Sequence, residues 1–307
     1  MGRRELASAY HRTFSEALSL PGLTLEASAA VEAADYFGIP REEAERRLAR
    51  GREALAERWR ALGPDPRSAT AVEAFYDAQD EEAFELLDYH RRASPRSARG
   101  PLKYAFALDI ARAAGARRVL DLGSGVGAGA ILFARHGLEP TLCDISGRLL
   151  ALARWRLERR GLADRCRFVD RRTEDVPDSA FDLVACFDVL EHAVEPRALV
   201  AWARRKLRPG GLALLYPDFG PDPLRPMHVA RAPRLDRCFR GLGFAFDRPF
   251  CRRAIELHLR KMLVLRRVER SPLGATWIGL WDAVVPQWAN HLRFRVGVPR
   301  ISLPSES

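Results

Sequence analysis

The sequence predicts an α/β protein: a seven-stranded, mostly parallel sheet with flanking helices, preceded by a region made of helices alone. Three observations predict it. From Arg117 onward short apolar runs alternate with helical patterns, as they do when helices cross over a parallel sheet. The first of those runs ends in a cluster of glycines that opens a helix. The first hundred residues show helical periodicity and helix punctuation instead.

The helical region divides at its breakers. One helix is expected over Glu5–Leu18 and a second over Leu25–Phe37. Gly38-Ile39-Pro40 ends the second, and Pro40 opens a third that runs to about Leu62. Gly63-Pro64-Asp65-Pro66 is a clear stop. Thr70 followed by Glu73 reads as a capping box, starting a fourth helix that continues to about His90. Arg96–Gly100 is a polar loop, and Pro101–Ala114 a helix leading into the first strand.

Strands are expected at Arg118–Leu122, Thr141–Asp144, Arg167–Asp170, Phe181–Phe187 and Leu212–Tyr216. Short strands at Phe244–Asp247 and Met262–Val268 would complete the sheet. Helices fall at Gly127–Arg135, Gly147–Arg159, Pro196–Leu207 and Pro233–Gly241. The chain divides into a helical region (1–98), a core (99–270) and a tail (271–307) that holds Trp277, Trp281 and Trp288. That tail reads either as a helix packed on the core or as a segment lying over an apolar substrate or a membrane surface.

Residues 119–127 read Val-Leu-Asp-Leu-Gly-Ser-Gly-Val-Gly. Glycines at a strand-to-helix turn let the backbone approach a ligand, and the helix N-terminus offers free N–H groups. The pattern is Rossmann-like and suits two cofactors. Gly123, Gly125 and Ala128 also satisfy the dinucleotide fingerprint, with Asp144 standing where a ribose-binding acid belongs. Asp121 separates the two. A carboxylate beside the first glycine repels a pyrophosphate but suits S-adenosylmethionine, which carries an ammonium and a sulfonium and no phosphate.

Further pieces follow in order: Leu142-Cys143-Asp144-Ile145-Ser146, then Phe181 to His192 with its Asp188-Val189-Leu190-Glu191-His192 run, then Leu207-Arg208-Pro209-Gly210-Gly211. Over roughly Arg117–Phe219 the chain resembles the core of a class I S-adenosylmethionine-dependent methyltransferase. The Asp-Val-Leu-Glu-His run further resembles the branch that methylates small molecules. The resemblance implies that Asp121, Gly123, Ser124, Gly125, Gly127, Asp144 and Ile145 bind the cofactor. Where relatives carry an adenine-binding Asp after the third strand, this chain has Arg171-Arg172-Thr173, so Asp170, or Thr173 with Glu174, is expected to take that contact. Phe187 and Asp188 end a strand that should deliver them to the ligand crevice.

The cofactor is already an activated electrophile, so alignment is the main task and a base is optional. His192 is the candidate base, because imidazole titrates near neutral pH, with Glu191 beside it to orient it. No second cluster of histidines or carboxylates has ligand spacing, so no metal is expected. Tyr76, Tyr89, His90 and Tyr104 lie in the helices before the glycine loop, where relatives close over the cofactor and shape the substrate cavity. The loops that mark methyltransferases acting on nucleic-acid bases are absent.

Composition agrees with a folded domain: 47% hydrophobic and 29% charged residues. Five cysteines show no metal or disulfide spacing, and Glu5, Arg12 and Glu16 interrupt any N-terminal apolar run, so a cytoplasmic protein is expected. The net charge is +10, concentrated toward the C-terminus, where residues 231–270 hold 12 basic against 4 acidic side chains. Arginine supplies all but Lys103, Lys206 and Lys261 of the basic total, which suggests base composition rather than phosphate binding. The expected substrate is a small molecule with an O or N acceptor. RNA or protein held on the basic face is the alternative.

Overall fold

The computed structural model describes residues 2–94, 102–220, 222–228 and 239–269. The tryptophan-bearing tail, the 96–100 loop and most of the helix expected at 233–241 lie outside them.

Six helices precede the sheet: α1 (Arg3–Leu18), α2 (Leu25–Phe37), α3 (Arg41–Leu62), α4 (Ala69–Asp77), α5 (Glu81–Arg91) and α6 (Leu102–Ala113). Gly38 and Gly63 close α2 and α3 in left-handed conformations. The expected single helix after Pro66 is two. Ser68, not Thr70, caps α4 by accepting from the Ala71 N–H, and the chain breaks at Ala78–Asp80 before α5. Ser and Thr both suit a cap, so the pattern left the choice between neighbours to packing. The break turns α5 back along α3. The two helices cross so closely that a Cβ on Gly51 would lie 2.6 Å from the Glu85 nitrogen.

From β1 (Arg118–Leu122) strands and helices alternate: α7 (Ala128–Arg135), β2 (Glu139–Asp144), α8 (Gly147–Glu158), β3 (Arg167–Asp170), β4 (Phe181–Phe187), α9 (Pro196–Lys206) and β5 (Leu207–Tyr216). β6 (Phe244–Phe246), α10 (Arg248–Glu256) and β7 (Leu263–Arg267) follow. The sheet order is β3-β2-β1-β4-β5-β7-β6, parallel except for β7, which runs antiparallel to β5 and β6. α10 was not anticipated. Its signal is Asp247, which accepts from the Phe250 N–H, with Pro249 in the first turn.

Alternate strand residues face opposite cores. Val119, Leu142, Leu183 and Leu214 pack under α1, α6, α7 and α8, around Phe14, Phe106 and Phe133. Leu120, Cys143, Val184 and Leu215 pack under α9 with Trp202 and Phe239. Fully burying side chains of this size contributes about 1.5–3 kcal/mol each.

The helical region is fastened to the core by a buried ion triad. Glu32 of α2 accepts from Arg156 of α8 at 3.1 Å and pairs with Arg160, and all three are nearly inaccessible. At the opposite end Asp77, the last residue of α4, accepts from the Gly147 N–H at 2.9 Å and from Arg172 at 2.7 Å. These two ties hold α2 and α4 against the core. No helix among the described residues is long and apolar enough to cross a membrane.

Candidate active site

The strand order turns back between β1 and β4, and open α/β sheets bind ligands in the crevice at such a point. A cavity of about 560 Å³ lies there, at the C-terminal ends of the strands and beneath α4 and α5.

The glycine loop forms its floor. Gly123, Gly125 and Gly127 have φ of 69°, 50° and 77°. A Cβ at each would meet Val189 at 2.2 Å, Leu86 at 2.8 Å and Ala153 at 2.9 Å. Both backbone conformation and space therefore demand glycine. Gly123 and Gly125 line the cavity, whereas Gly127 caps α7 behind them.

Asp144 ends β2 and lines the cavity. Its carboxylate accepts from the N–H groups of Gly125 (2.8 Å), Ile145 (2.8 Å) and Ser146 (3.1 Å). An ionised carboxylate has about four acceptor sites, so one remains for a ligand hydroxyl. Ser124 Oγ is buried on the same floor with no partner in the protein.

Asp121 is placed differently from expectation. It does not line the cavity, because it sits under the loop with Oδ2 buried against Gly129, and that oxygen is unpartnered. Burial, with Asp144 nearby, pushes its carboxyl up to about 7.

Two further expectations are corrected. Thr173 and Glu174 are exposed and absent from the cavity wall. Thr173 donates to the Asp170 carbonyl, and Glu174 pairs with Arg167. Asp170 is itself held by Arg172 at 2.6 Å. Arg171 and Ile145 line this end of the cavity instead, and the buried Nε of Arg171 has no partner in the protein.

At the end of β4, Phe187 and Asp188 do line the cavity. Asp188 adopts a φ of 55°, rare for a residue with a side chain, which turns its carboxylate back toward α6. There it pairs with Lys103 and accepts from the Tyr89 hydroxyl at 3.3 Å. Lys103 was missed. It is fully buried, with its ammonium 5.0 Å from the ring centres of both Tyr89 and Tyr216. Burial opposes its charge, but Asp188 and neighbouring groups more than offset that and hold it above the usual lysine range. One lysine in a run of apolar residues carries no sequence signal; only the fold brings Asp188 to it.

The roof and far wall carry the four residues expected to shape the cavity: Tyr76, Tyr89, His90 and Tyr104 all line it. Tyr76 Oη lies 2.6 Å from His192 Nδ1, and His90 Nε2 lies 3.4 Å from Tyr104 Oη. Burial, and then His228 and Arg225, push His192 well below the ordinary histidine range, so the ring is neutral near pH 7. Glu191 does not make the expected orienting hydrogen bond to His192. It is wholly buried, both its oxygens lack protein partners, and burial beside Asp188 drives its carboxyl up.

The expectation that no ligand cluster exists near Glu191-His192 also fails. The turn at 222–228 places His228 against His192, ring centres 4.6 Å apart, through the Arg225–Asp218 pair at 3.0 Å and the burial of Met227 against α3 and α4. A separation of 36 residues hid this from any spacing argument.

The glycine cradle, the orphaned Ser124 hydroxyl and the vacant lone pair of Asp144 fit S-adenosylmethionine, whose polar ends need both donors and acceptors. Comparison with known proteins agrees. A family described as "Methyltransferase domain" matches residues 120–215. The chain is 34% identical over 174 residues to the uncharacterized protein syc1184_c of Synechococcus sp., covering 54% of this chain and 42% of that one. It is 35% identical over 103 residues to tRNA 5-carboxymethoxyuridine methyltransferase of Escherichia coli, covering 32% and 40%. It is 37% identical over 114 residues to ubiquinone biosynthesis O-methyltransferase of Xanthomonas oryzae, covering 35% and 44%. These alignments span about two-fifths of the relatives' lengths. The segment from the end of β1 through most of β5 is thus similar to a methyltransferase domain.

Proposed function

We propose that this protein transfers a methyl group from S-adenosylmethionine to an O or N acceptor on a small molecule. The observation that carries the reading is the cavity itself. At about 560 Å³, roofed by α4 and α5, it is of the size that holds small organic ligands.

When bound, the cofactor supplies an electrophilic methyl group. The loop glycines and Ser124 hold its amino-acid end, and Asp144 accepts from its sugar hydroxyls. Ile145 and Arg171 flank its base. Tyr76, Tyr89, His90 and Tyr104 then fix the acceptor on the open side. Alignment of this kind removes about 7–11 kcal/mol of barrier. His192, neutral and held by Tyr76, accepts the proton that the acceptor loses.

A tRNA methyltransferase among the relatives supports a second reading, in which the acceptor belongs to an RNA. The two separate experimentally. Purified protein is incubated with labelled S-adenosylmethionine and either a small-metabolite extract or total RNA, at low and high salt. The first reading expects label in small molecules regardless of salt. Label confined to RNA, and lost steeply as salt rises, establishes the second. Label in neither, with no S-adenosylhomocysteine released, overturns the proposal.

A further inference from the structure

Two histidines of the cavity wall, His192 and His228, stand beside the buried Glu191, and only His192 has a role in the methyl-transfer reading. One potential ligand atom from each of Glu191, His192 and His228 lies within 4.8 Å of the other two. Glu191 is fully buried with neither carboxylate oxygen paired in the protein. Such a group is costly unless something satisfies it.

Both imidazoles are oriented from behind. His228 Nδ1 is 3.2 Å from the Asp218 carbonyl, an acceptor, so Nδ1 carries the proton and Nε2 a free lone pair. His192 Nδ1 is 2.6 Å from the Tyr76 hydroxyl, which accepts from Nδ1–H in the tautomer that frees Nε2. Metal-bound histidines are held in this way, with the second ring nitrogen donating to a carbonyl or another oxygen. The surroundings suit a cation in part: Asp188 and Asp218 lie near Glu191, while Arg225, which opposes a cation, is paired with Asp218 at 3.0 Å.

We propose that Glu191, His192 and His228 form a binding site for one divalent transition-metal cation of the zinc type, open toward the cavity. Two imidazoles and one carboxylate are a zinc donor set with a vacant position left for another ligand, and imidazole disfavours magnesium. His192 and His228 both line the cavity, so the vacant position faces the place where the acceptor sits. A cation there would make a bound acceptor hydroxyl more acidic, so that its proton would pass to solvent water and His192, as a ligand, would not serve as the base. Metal binding does not depend on the methyl-transfer reading; only this use of it does.

The test uses full-length protein without a polyhistidine tag, stripped with a chelator and titrated with Co²⁺ and then Zn²⁺. One Co²⁺ per chain is expected at micromolar concentration, with visible absorption bands that Zn²⁺ abolishes. His228→Ala and Glu191→Gln are each expected to weaken binding by at least ten-fold. Both variants should keep the rise in melting temperature that S-adenosylhomocysteine causes, which shows that they are folded. Absence of Co²⁺ uptake by the unaltered protein overturns the proposal, as does equal uptake by both variants. A wild-type protein that takes up Co²⁺ but shows no shift with S-adenosylhomocysteine keeps the metal site and loses the cofactor reading.

Discussion

Tyr76 and His192 meet at 2.6 Å across the cavity, one from a roof helix and the other from the connection after β4. This bond joins the helical region to the sheet core at the cavity, where the acceptor is proposed to sit. It fixes the imidazole in one orientation, and burial keeps the ring neutral. Tyr76→Phe removes the bond and keeps the ring that packs on Trp59 and Phe75. It is expected to lower kcat by about ten-fold, within the range of acid–base contributions, with little change in affinity for S-adenosylhomocysteine. An unchanged kcat on the accepted substrate would show that the pair serves packing alone.

Asp144 organises the loop of the proposed cofactor site. Asp144→Ala leaves the Gly125, Ile145 and Ser146 N–H groups without the acceptor they now share. Each unpaired buried group costs about 1–3 kcal/mol, so S-adenosylhomocysteine affinity should fall by at least ten-fold. Calorimetric titration checks this, and undiminished binding would remove Asp144 from the site.

Asp121 makes stability depend on pH. Its carboxyl is raised to about 7 in the fold, against about 3.9 for an unfolded chain. A raised group of this kind contributes its full stability below the unfolded value and loses it as pH climbs toward 7. Wild type should therefore lose stability between pH 4 and pH 7 at up to about 1.4 kcal/mol per pH unit from this residue. Asp121→Asn should lack that component, so the variant gains on wild type as pH rises. Urea midpoints at several pH values decide it, and parallel curves for the two proteins would contradict the assignment.

Glu32 is the sole carboxylate shown pairing with both Arg156 and Arg160 among the described residues. Glu32→Ala strands two buried guanidiniums and should cost about 3–5 kcal/mol. Chemical denaturation measures this. A loss below about 1 kcal/mol would mean that water reaches the arginines and that the triad does not fasten the helical region.

Much of the fold was legible because each element announces itself locally. β1, β3 and β4 lie where their apolar runs place them, and α2 ends at Gly38 as a helix with a glycine after it should. The glycine loop and Asp144 were legible for the same reason: a strand, a tight turn and a helix N-terminus are built from neighbours in the chain. Local reading failed where equivalents compete, as with Ser68 and Thr70, or where a turn between two helical stretches falls at residues that also suit a helix, as at Ala78–Asp80.

The chain order of residues by itself determined the α/β class, the strand sequence around the crevice and the glycine loop, since all of these follow from periods and turns within a few residues. Tertiary structure alone decided that Thr173 and Glu174 face solvent, that Asp121 lies beneath the loop, that Lys103 neutralises Asp188, and that His228 joins Glu191 and His192. Those outcomes depend on contacts between residues tens of positions apart. A buried charge selects its partner by the space the packed helices leave, and no local pattern encodes that space.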